Sequence, residues 1–168
     1  MKVYISGKIG EEVISDATRQ KFARAEEMLK AKGYEVFNPC DEKWQRLLKR
    51  EYENDKYVKS PWMDGEFPSF YAYALLRDLM VLSTKDAIYM LADWRSSDGA
   101  NAELDFARAT GKPCLFQDKL DTRSYLWGKW WDEEFDEFMK NEDADGTCDD
   151  EVDRYVIQHL NEVWLPIE

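Results

Sequence analysis

Residues 87–103 read AIYMLADWRSSDGANAE, an apolar run that passes through a polar turn into a segment with helix-like spacing. The run at 87–91 is typical of a strand buried on both faces, and the residues from 99 to 110 predict a helix. Ser97 and Asp98 favour a helix N-cap, and Gly99 allows backbone to come close to a ligand. Strand, turn and helix in this order build open α/β sheets, which bind ligands at the carboxyl ends of their strands.

Glu103 lies near the end of the first turn of that predicted helix, over the end of the strand. Its helical neighbours are Gly99, Ala100, Phe106 and Ala107, so no cation stands within pairing distance along the helix. One interpretation is a solvated glutamate that merely favours a helix N-terminus. The other is a functional carboxylate, and the rest of the chain has to distinguish the two.

Strand-like and helix-like segments alternate along the first two thirds of the chain. The strands are predicted at 2–6, 34–37, 87–91 and 112–116, and the helices at 17–31, 41–52, 69–83 and 99–110. Nearly uniform apolar strands indicate a parallel sheet covered on both faces. The sequence therefore predicts an α/β fold, a three-layer sandwich around a Rossmann-like or flavodoxin-like parallel sheet that begins with a right-handed βαβ unit.

A stretch at about 53–70 interrupts this alternation with prolines, a glycine and aromatic residues but no hydrophobic period, which predicts a long loop. The aromatic side chains of Tyr57, Trp62 and Phe67 indicate that the stretch packs against something. A lid over a site and a contact between two subunits fit this composition equally well.

The last third differs in composition from the rest. Residues 118–168 hold 16 of the 35 acidic residues and 5 of the 23 basic ones, so most of the net charge of −12 lies there. Helices are predicted at about 121–140 and 149–163, and four of the seven tryptophans fall in this part of the chain. We expect a domain at 1–117 and an acidic, Trp-rich helical extension at 118–168 that packs on the same domain or on a partner subunit.

Composition and motif spacing exclude several classes of protein. A negative chain without a basic stripe argues against binding of long nucleic acid. No apolar run is long enough to span a membrane, and Met1 leads directly into a strand, so we expect a cytoplasmic protein. The aromatic residues at 57–73 and in the extension exceed what a small sheet covers, so we expect a homo-oligomer, most simply a two-fold dimer.

Histidine and cysteine are too sparse for metal chemistry. Cys40, Cys114 and Cys148 are widely spaced without a C-x-x-C motif, and His159 is the single histidine. Neither a disulfide framework nor a zinc cluster is indicated, and two of the thiols are expected to be buried. Catalysis has to use carboxylates, hydroxyls and backbone.

Five short motifs follow one another along residues 2–116. They are YISGKI at 4–9, GYEV at 33–36 before an Asn-Pro pair, RDL at 77–79, SDGANAE at 97–103 and GKP at 111–113. In this order and spacing they resemble the nucleoside 2-deoxyribosyltransferase superfamily. That superfamily includes nucleotide N-glycoside hydrolases and small uncharacterised phage and bacterial proteins. The aromatic insertion and the acidic extension lie outside the resemblance.

The resemblance assigns roles by position. Glu103 matches the nucleophilic glutamate, Asp78 matches an aspartate that lines the site, and Asp98 lies near another. Either aspartate would deliver a proton to the leaving base or orient sugar hydroxyls. Ser97 matches a serine that the hydrolases place against a 5′-phosphate, although a plain N-cap is an equal alternative.

The same resemblance assigns substrate contacts to the first loop. Tyr4, Gly7 and Ile9 match positions that touch sugar and base, and Gly99 is expected to lie against the ligand. A tight strand-to-helix connection accounts for the glycine loop equally well. The implied substrate is a small nucleoside or nucleotide, and the implied reaction needs no cofactor.

The resemblance implies cleavage or transfer at the N-glycosidic bond of 2′-deoxyribonucleosides or their 5′-monophosphates, through a covalent deoxyribosyl-glutamate. Two alternatives stay open. One is a deoxynucleoside monophosphate N-glycoside hydrolase, because the C-terminal residue that transferases lend to a neighbouring subunit has no match here. The other is a nucleotide-binding or sensing protein that keeps the pocket without turnover.

Overall fold

The computed structural model describes residues 1–10, 13–55, 57–59, 64–134 and 148–167. The strands are β1 (Lys2–Ser6), β2 (Glu35–Phe37), β3 (Tyr57–Lys59), β4 (Asp64–Glu66), β5 (Ala87–Met90) and β6 (Cys114–Phe116). The helices are α1 (Asp16–Ala31), α2 (Glu42–Asp55), α3 (Phe70–Ser83), α4 (Asp98–Ala109), α5 (Lys119–Glu133) and α6 (Cys148–Val163). A 3₁₀ turn at Trp94–Ser96 leads into α4.

Four strands form a parallel sheet in the order β2-β1-β5-β6, flanked by helices, which confirms the predicted fold class. β1 runs parallel to β2, with Val3 opposite Val36, and parallel to β5, with Ile5 opposite Tyr89. The chain leaves β2 on one side of β1 and enters β5 on the other. The order of the strands therefore reverses between β1 and β5, the position at which doubly wound sheets bind their ligands.

The two central strands are buried along almost their whole length. Val3, Tyr4, Ile5 and Ser6 of β1 are all 0% exposed, and so is the whole of β5. Because successive side chains of a strand point to opposite faces, Tyr4 and Ser6 share one face of the sheet. Each brings a hydroxyl into the interior, where a hydrogen-bond partner is needed.

Serine side chains begin three of the helices. Ser15 accepts a hydrogen bond from the Thr18 amide and caps α1, which begins at Asp16, one residue before the predicted start. Ser69 accepts from the Ala72 amide and Ser97 from the Ala100 amide, at 3.1 and 3.3 Å. Ser97 is thus the N-cap of α4, as its residue type indicates.

The insertion contains regular structure, so the prediction of a loop there was wrong. β3 and β4 pair as an antiparallel ribbon, with Val58 opposite Gly65. Strands of three residues are too short to show the alternation that reveals a strand in sequence. The Phe67 ring lies edge-on to Tyr73 at 5.1 Å, so this end of the insertion packs as predicted. Trp62 and the Tyr57 side chain lie outside the described residues, and both roles proposed for the insertion stay predictions.

The buried face of α3 agrees only in part with its hydrophobic spacing. That spacing favours a side with Tyr73, Leu76, Leu79 and Met80, and Tyr73 is buried, yet Leu76 and Met80 are 46% and 54% exposed. The helix also buries Asp78 and Leu82, because it packs against both α2 and α4. The exposed apolar side chains agree with the expected dimer, which stays a prediction.

The chain divides into two compact units, Met1–Cys114 and Leu115–Glu168. Within the second unit α5 packs against α6, and the Trp164 indole donates to the Gln117 carbonyl at 3.1 Å. α5 begins at Lys119 with Asp118 as its N-cap, slightly earlier than predicted. Trp130 is buried, whereas Trp127 and Trp131 are 45% and 37% exposed, and the expected packing of the extension on the domain or on a partner subunit stays a prediction.

Two further expectations concern single residues and helix length. Cys40 and Cys114 are buried, as predicted for two of the three thiols, and the Cys148 side chain lies outside the described residues. Across the described ranges, no helix has both the length and the apolar character needed to cross a membrane.

Gly7 follows β1 directly, and a side chain at this position would clash with Leu91. A Cβ at this position would lie 2.8 Å from Leu91 Cδ1 and 2.9 Å from Leu91 Cβ. Leu91 is fully buried and has little room to move aside. We expect Gly7→Ala to lower the free energy of unfolding by about 1–3 kcal/mol, the usual cost of overpacking, as measured by urea denaturation.

The matched control is Gly128→Ala in α5, where an added Cβ meets nothing within 4 Å. This exchange is expected to stabilise the protein by up to about 1 kcal/mol, because alanine favours a helix. A Gly7→Ala protein as stable as the wild type would contradict the close contact with Leu91.

Candidate active site

Glu103 is the centre of a buried polar cluster at the carboxyl end of β1. Its side chain is 7% exposed. The Tyr4 hydroxyl donates to Glu103 Oε1 at 2.7 Å, and the Ser6 hydroxyl donates to Oε2 at 2.5 Å. The carboxylate therefore satisfies both buried hydroxyls of β1 and lies at the reversal point between β1 and β5.

The position of Glu103 on α4 explains why it is buried. The inward side of this helix consists of Ala100, Glu103, Leu104 and Ala107, the spacing of a hydrophobic face. A carboxyl group at such a position costs free energy unless its oxygens are hydrogen-bonded. The interpretation of Glu103 as a solvated surface residue was therefore wrong.

Burial sets the protonation of this cluster. It raises the pKa of Glu103 from 4.5 to about 7, against the opposing effect of the hydrogen bonds from Ser6 and Tyr4. Burial and the negative charge of Glu103 also raise the pKa of Tyr4 well above its ordinary value. Tyr4 thus stays protonated and keeps donating to Glu103 at any physiological pH.

Asp78 is a second buried carboxyl, presented by α3 and 9% exposed. The indole N–H of Trp44, from α2, donates to Asp78 Oδ1 at 2.9 Å. Burial and then the charge of Glu103 raise the pKa of Asp78 to about 7, while the bond from Trp44 lowers it. Asp78 and Glu103 are close enough for the charge of one to affect the titration of the other.

The other candidate residues of α4 lie at its N-terminus. Asp98 is exposed, and Ser97 is half-buried with its hydroxyl used as the N-cap. Gly99 faces the side chain of Tyr71, since an added Cβ would lie 3.0 Å from the Tyr71 hydroxyl. Tyr71 is 55% exposed, and its pKa is raised by partial burial and by the charges of Asp98 and Glu103.

The loops after β1 and β5 are tied together beside the cluster. The Lys8 amide donates to Asp93 Oδ1 at 3.2 Å, and Lys21 Nζ donates to the Lys8 carbonyl at 2.7 Å. Lys21 also forms an ion pair with Asp93. In this loop Gly7 is buried and Ile9 is half-buried. These bonds fix both loops at the end of the sheet where Glu103 lies.

Three residues of the cluster were missed by sequence reasoning. Ser6 had a signal, because it is a lone polar residue in an otherwise apolar stretch of a strand and stands two positions after Tyr4. Trp44 and Tyr71 had none, since their neighbours are set by the packing of α2, α3 and α4. In the part of the chain that the structure describes, no group of three or more His, Cys, Asp or Glu side chains forms a metal site.

Comparison with known proteins identifies a family. The model of a domain of unknown function, DUF4406, matches residues 1–116, and the chain belongs to this family. No curated protein matches the chain. A solved structure of 2-deoxyribosyltransferase from the psychrotolerant bacterium Bacillus psychrosaccharolyticus is similar, with a TM-score of 0.42 and 18% identity over 69% of this chain and 71% of that chain.

The raised pKa of Glu103 makes stability depend on pH. Because the folded protein holds this proton more tightly than the unfolded chain, stability is present at low pH and is lost as the pH rises from about 4.5 through about 7. The free energy of unfolding that is lost through the ionisation of Glu103 is on the order of 3 kcal/mol. We expect urea denaturation to show lower stability at pH 8 than at pH 5, with a smaller difference in Glu103→Gln.

The control for this measurement is Asp105→Asn, which removes an exposed carboxylate from the same helix. It is expected to retain the pH dependence of the wild type. The pKa of Asp78 is also raised, so its contribution to stability is likewise lost as the pH rises. Part of the pH dependence of stability therefore persists in Glu103→Gln. If the free energy of unfolding changed between pH 5 and pH 8 by the same amount in wild type and in Glu103→Gln, the raised pKa of Glu103 would be contradicted.

Proposed function

We propose that the protein cleaves or transfers at the N-glycosidic bond of 2′-deoxyribonucleosides or their 5′-monophosphates, through a deoxyribosyl ester on Glu103. The observation that carries the proposal is the buried Glu103 carboxylate, held by Tyr4 and Ser6 at the carboxyl end of β1. The motif resemblance along residues 2–116 supplies the substrate class.

The geometry of Glu103 suits a nucleophile. Each hydrogen bond uses one lone pair of one oxygen, so both oxygens keep a lone pair for attack on C1′. The bonds also fix the plane of the carboxylate, which favours a productive approach. An oxocarbenium-like transition state carries positive charge, and a poorly hydrated carboxylate stabilises it strongly.

Asp78 suits the role of the acid. A leaving base needs a proton, and a group with a pKa of about 7 still holds one near neutral pH. Asp98 is exposed at the first turn of α4, and we assign it to the sugar hydroxyls instead. In the first step the Glu103 oxygen bonds to C1′ while the base leaves with the electron pair of the C1′–N bond and takes the proton of Asp78.

The second step reverses these roles at the same carbon. An incoming base or a water molecule attacks C1′ of the ester, and the Glu103 carboxylate is released. The Asp78 carboxylate takes the proton that the incoming group loses. Two displacements at C1′ retain its configuration, and the acceptor decides whether the reaction is transfer or hydrolysis.

Loss of the charge of Glu103 is the direct test. Glu103→Gln keeps the size of the side chain and removes the nucleophile, so base release is expected to fall by about 10³-fold or more. Purified protein is incubated with deoxynucleosides and their 5′-monophosphates, with and without a second free base, and released or exchanged base is measured by chromatography. Asp105→Asn is expected to retain wild-type activity.

The same incubation distinguishes the alternatives. Base exchange indicates a transferase, and release without exchange indicates a hydrolase. Mass spectrometry of quenched wild type is expected to show a deoxyribosyl adduct on the peptide with Glu103. Base release unchanged in Glu103→Gln would refute the covalent role, and binding of nucleotide without any release would favour a sensing protein.

Ser97 offers a test of the 5′-phosphate. Its hydroxyl caps α4, and aspartate at this position also makes a good N-cap. Ser97→Ala is expected to lower stability by about 1 kcal/mol, whereas Ser97→Asp is expected to retain it. If the phosphate binds here, Ser97→Asp repels it, so kcat/KM for the monophosphate falls by about tenfold or more relative to the nucleoside.

The measurement compares kcat/KM for one deoxynucleoside and its 5′-monophosphate in all three proteins. An unchanged ratio in Ser97→Asp would restrict Ser97 to the cap. Thermal unfolding of the same preparations separates loss of the cap from loss of phosphate recognition.

A further inference from the structure

α2 is fixed against α3 along one face. Trp44, Leu48 and Glu51 recur at the four- and three-residue spacing that aligns side chains along a helix. Leu48 is fully buried, and Glu51 accepts a hydrogen bond from Arg77 Nη2 at 2.6 Å. Arg77 precedes Asp78 in α3, so this ion pair holds the helix segment that presents Asp78 to Trp44.

Aromatic contacts fix the orientation of the Trp44 indole. Its ring meets Phe37 edge-on at 5.3 Å and 83°. Phe37 in turn stacks on Tyr4 at 5.4 Å and 19°. The rings of Trp44, Phe37 and Tyr4 therefore form a continuous series of contacts. Its first member donates to Asp78 and its last member donates to Glu103. Such packed rings lose little further freedom when a hydrogen bond forms.

We infer that Trp44 is a positioning residue that keeps the proton of Asp78 on Oδ2, the oxygen from which a leaving base would take it. The inference rests on the proposed function. An indole N–H donates and never accepts, and in a protonated carboxyl the carbonyl oxygen is a stronger acceptor than the hydroxyl oxygen, so the oxygen that the indole meets is favoured as the carbonyl. Trp44 meets Oδ1 at 2.9 Å, which leaves Oδ2 to carry the proton.

The charged state of Asp78 depends on its burial and on groups from two other helices. Burial and then the charge of Glu103 from α4 raise the pKa of Asp78, and the hydrogen bond from Trp44 of α2 lowers it. Tyr4 from β1 stays protonated and contributes no charge. When the base takes the proton from Oδ2, Asp78 becomes a carboxylate and its bond from Trp44 becomes charge-assisted and stronger. Trp44 therefore assists the step in which Asp78 loses its proton.

The experiment compares two substrates that differ in their need for a proton. Deoxyguanosine needs protonation of its base, whereas the base of N7-methyldeoxyguanosine already carries a positive charge and leaves without it. Trp44→Phe removes the donor and retains an aromatic ring against Phe37. We expect kcat for deoxyguanosine to fall about 10- to 100-fold, the usual effect of losing a hydrogen bond to a charged group. Cleavage of the methylated substrate is expected to change little.

A second variant distinguishes loss of the hydrogen-bond donor from misfolding. Site-specific replacement of Trp44 by its benzothiophene analogue removes only the N–H and keeps the size of the ring. It is expected to show the same difference between the two substrates. Leu48→Val alters the packing of the same helix but leaves the donor in place, so it is expected to affect both substrates equally.

A titration without substrate gives an independent readout. Carbon-13 NMR of the Asp78 carboxyl is expected to show a higher pKa in both Trp44 variants than in the wild type. Equal slowing of the two substrates together with an unchanged Asp78 titration would overturn the inference. If the wild type cleaves neither these two substrates nor any deoxynucleoside or 5′-monophosphate of the panel, the proposed function fails, and the Asp78 titration alone then decides whether Trp44 controls the proton.

Discussion

The two hydrogen bonds from Tyr4 and Ser6 to Glu103 are the interaction on which the site depends. β1 is buried from Val3 to Ser6, and its hydroxyls need acceptors that its neighbouring strands do not supply, because the strand carbonyls are used in the sheet. Glu103 supplies both acceptors from α4. The same contacts make burial of the carboxylate tolerable, so one set of bonds joins the sheet to the helix and holds the Glu103 carboxyl in the interior.

The electrostatics follow from this arrangement. Burial raises the pKa of both Glu103 and Asp78 and so favours their neutral forms. Hydrogen bonds act in the opposite direction: Tyr4 and Ser6 lower the pKa of Glu103, and Trp44 lowers the pKa of Asp78. The result is a pair of groups that change charge near neutral pH, which acid and base chemistry needs and which stability alone would not select. Sites of this kind commonly sacrifice stability for function.

Particular residues show how far sequence reasoning extends. The motifs found Tyr4, but the expected contact with sugar and base gave no indication that its hydroxyl is bound to Glu103. Gly99 was expected to admit a ligand, and the structure places the Tyr71 hydroxyl beside it. Hydrophobic spacing alone assigned Tyr73, Leu76, Leu79 and Met80 to one side of α3. The structure buries Tyr73 but exposes Leu76 and Met80, and packing between two helices buries Asp78.

The sequence by itself determined the alternation of strands and helices, the parallel sheet, the Ser97 cap and Glu103 as the principal candidate. The first three features depend on residue type and spacing within a few positions of the chain, and Glu103 was selected by the resemblance of the motifs along residues 2–116. Only the tertiary structure decided that Glu103 is buried, that Ser6 joins it and that Trp44 holds Asp78. Those contacts join residues separated by 97 positions for Ser6 and Glu103 and by 34 for Trp44 and Asp78. Spacing over a few residues cannot predict contacts between residues so far apart in the chain, because these contacts arise from how the helices pack on the sheet.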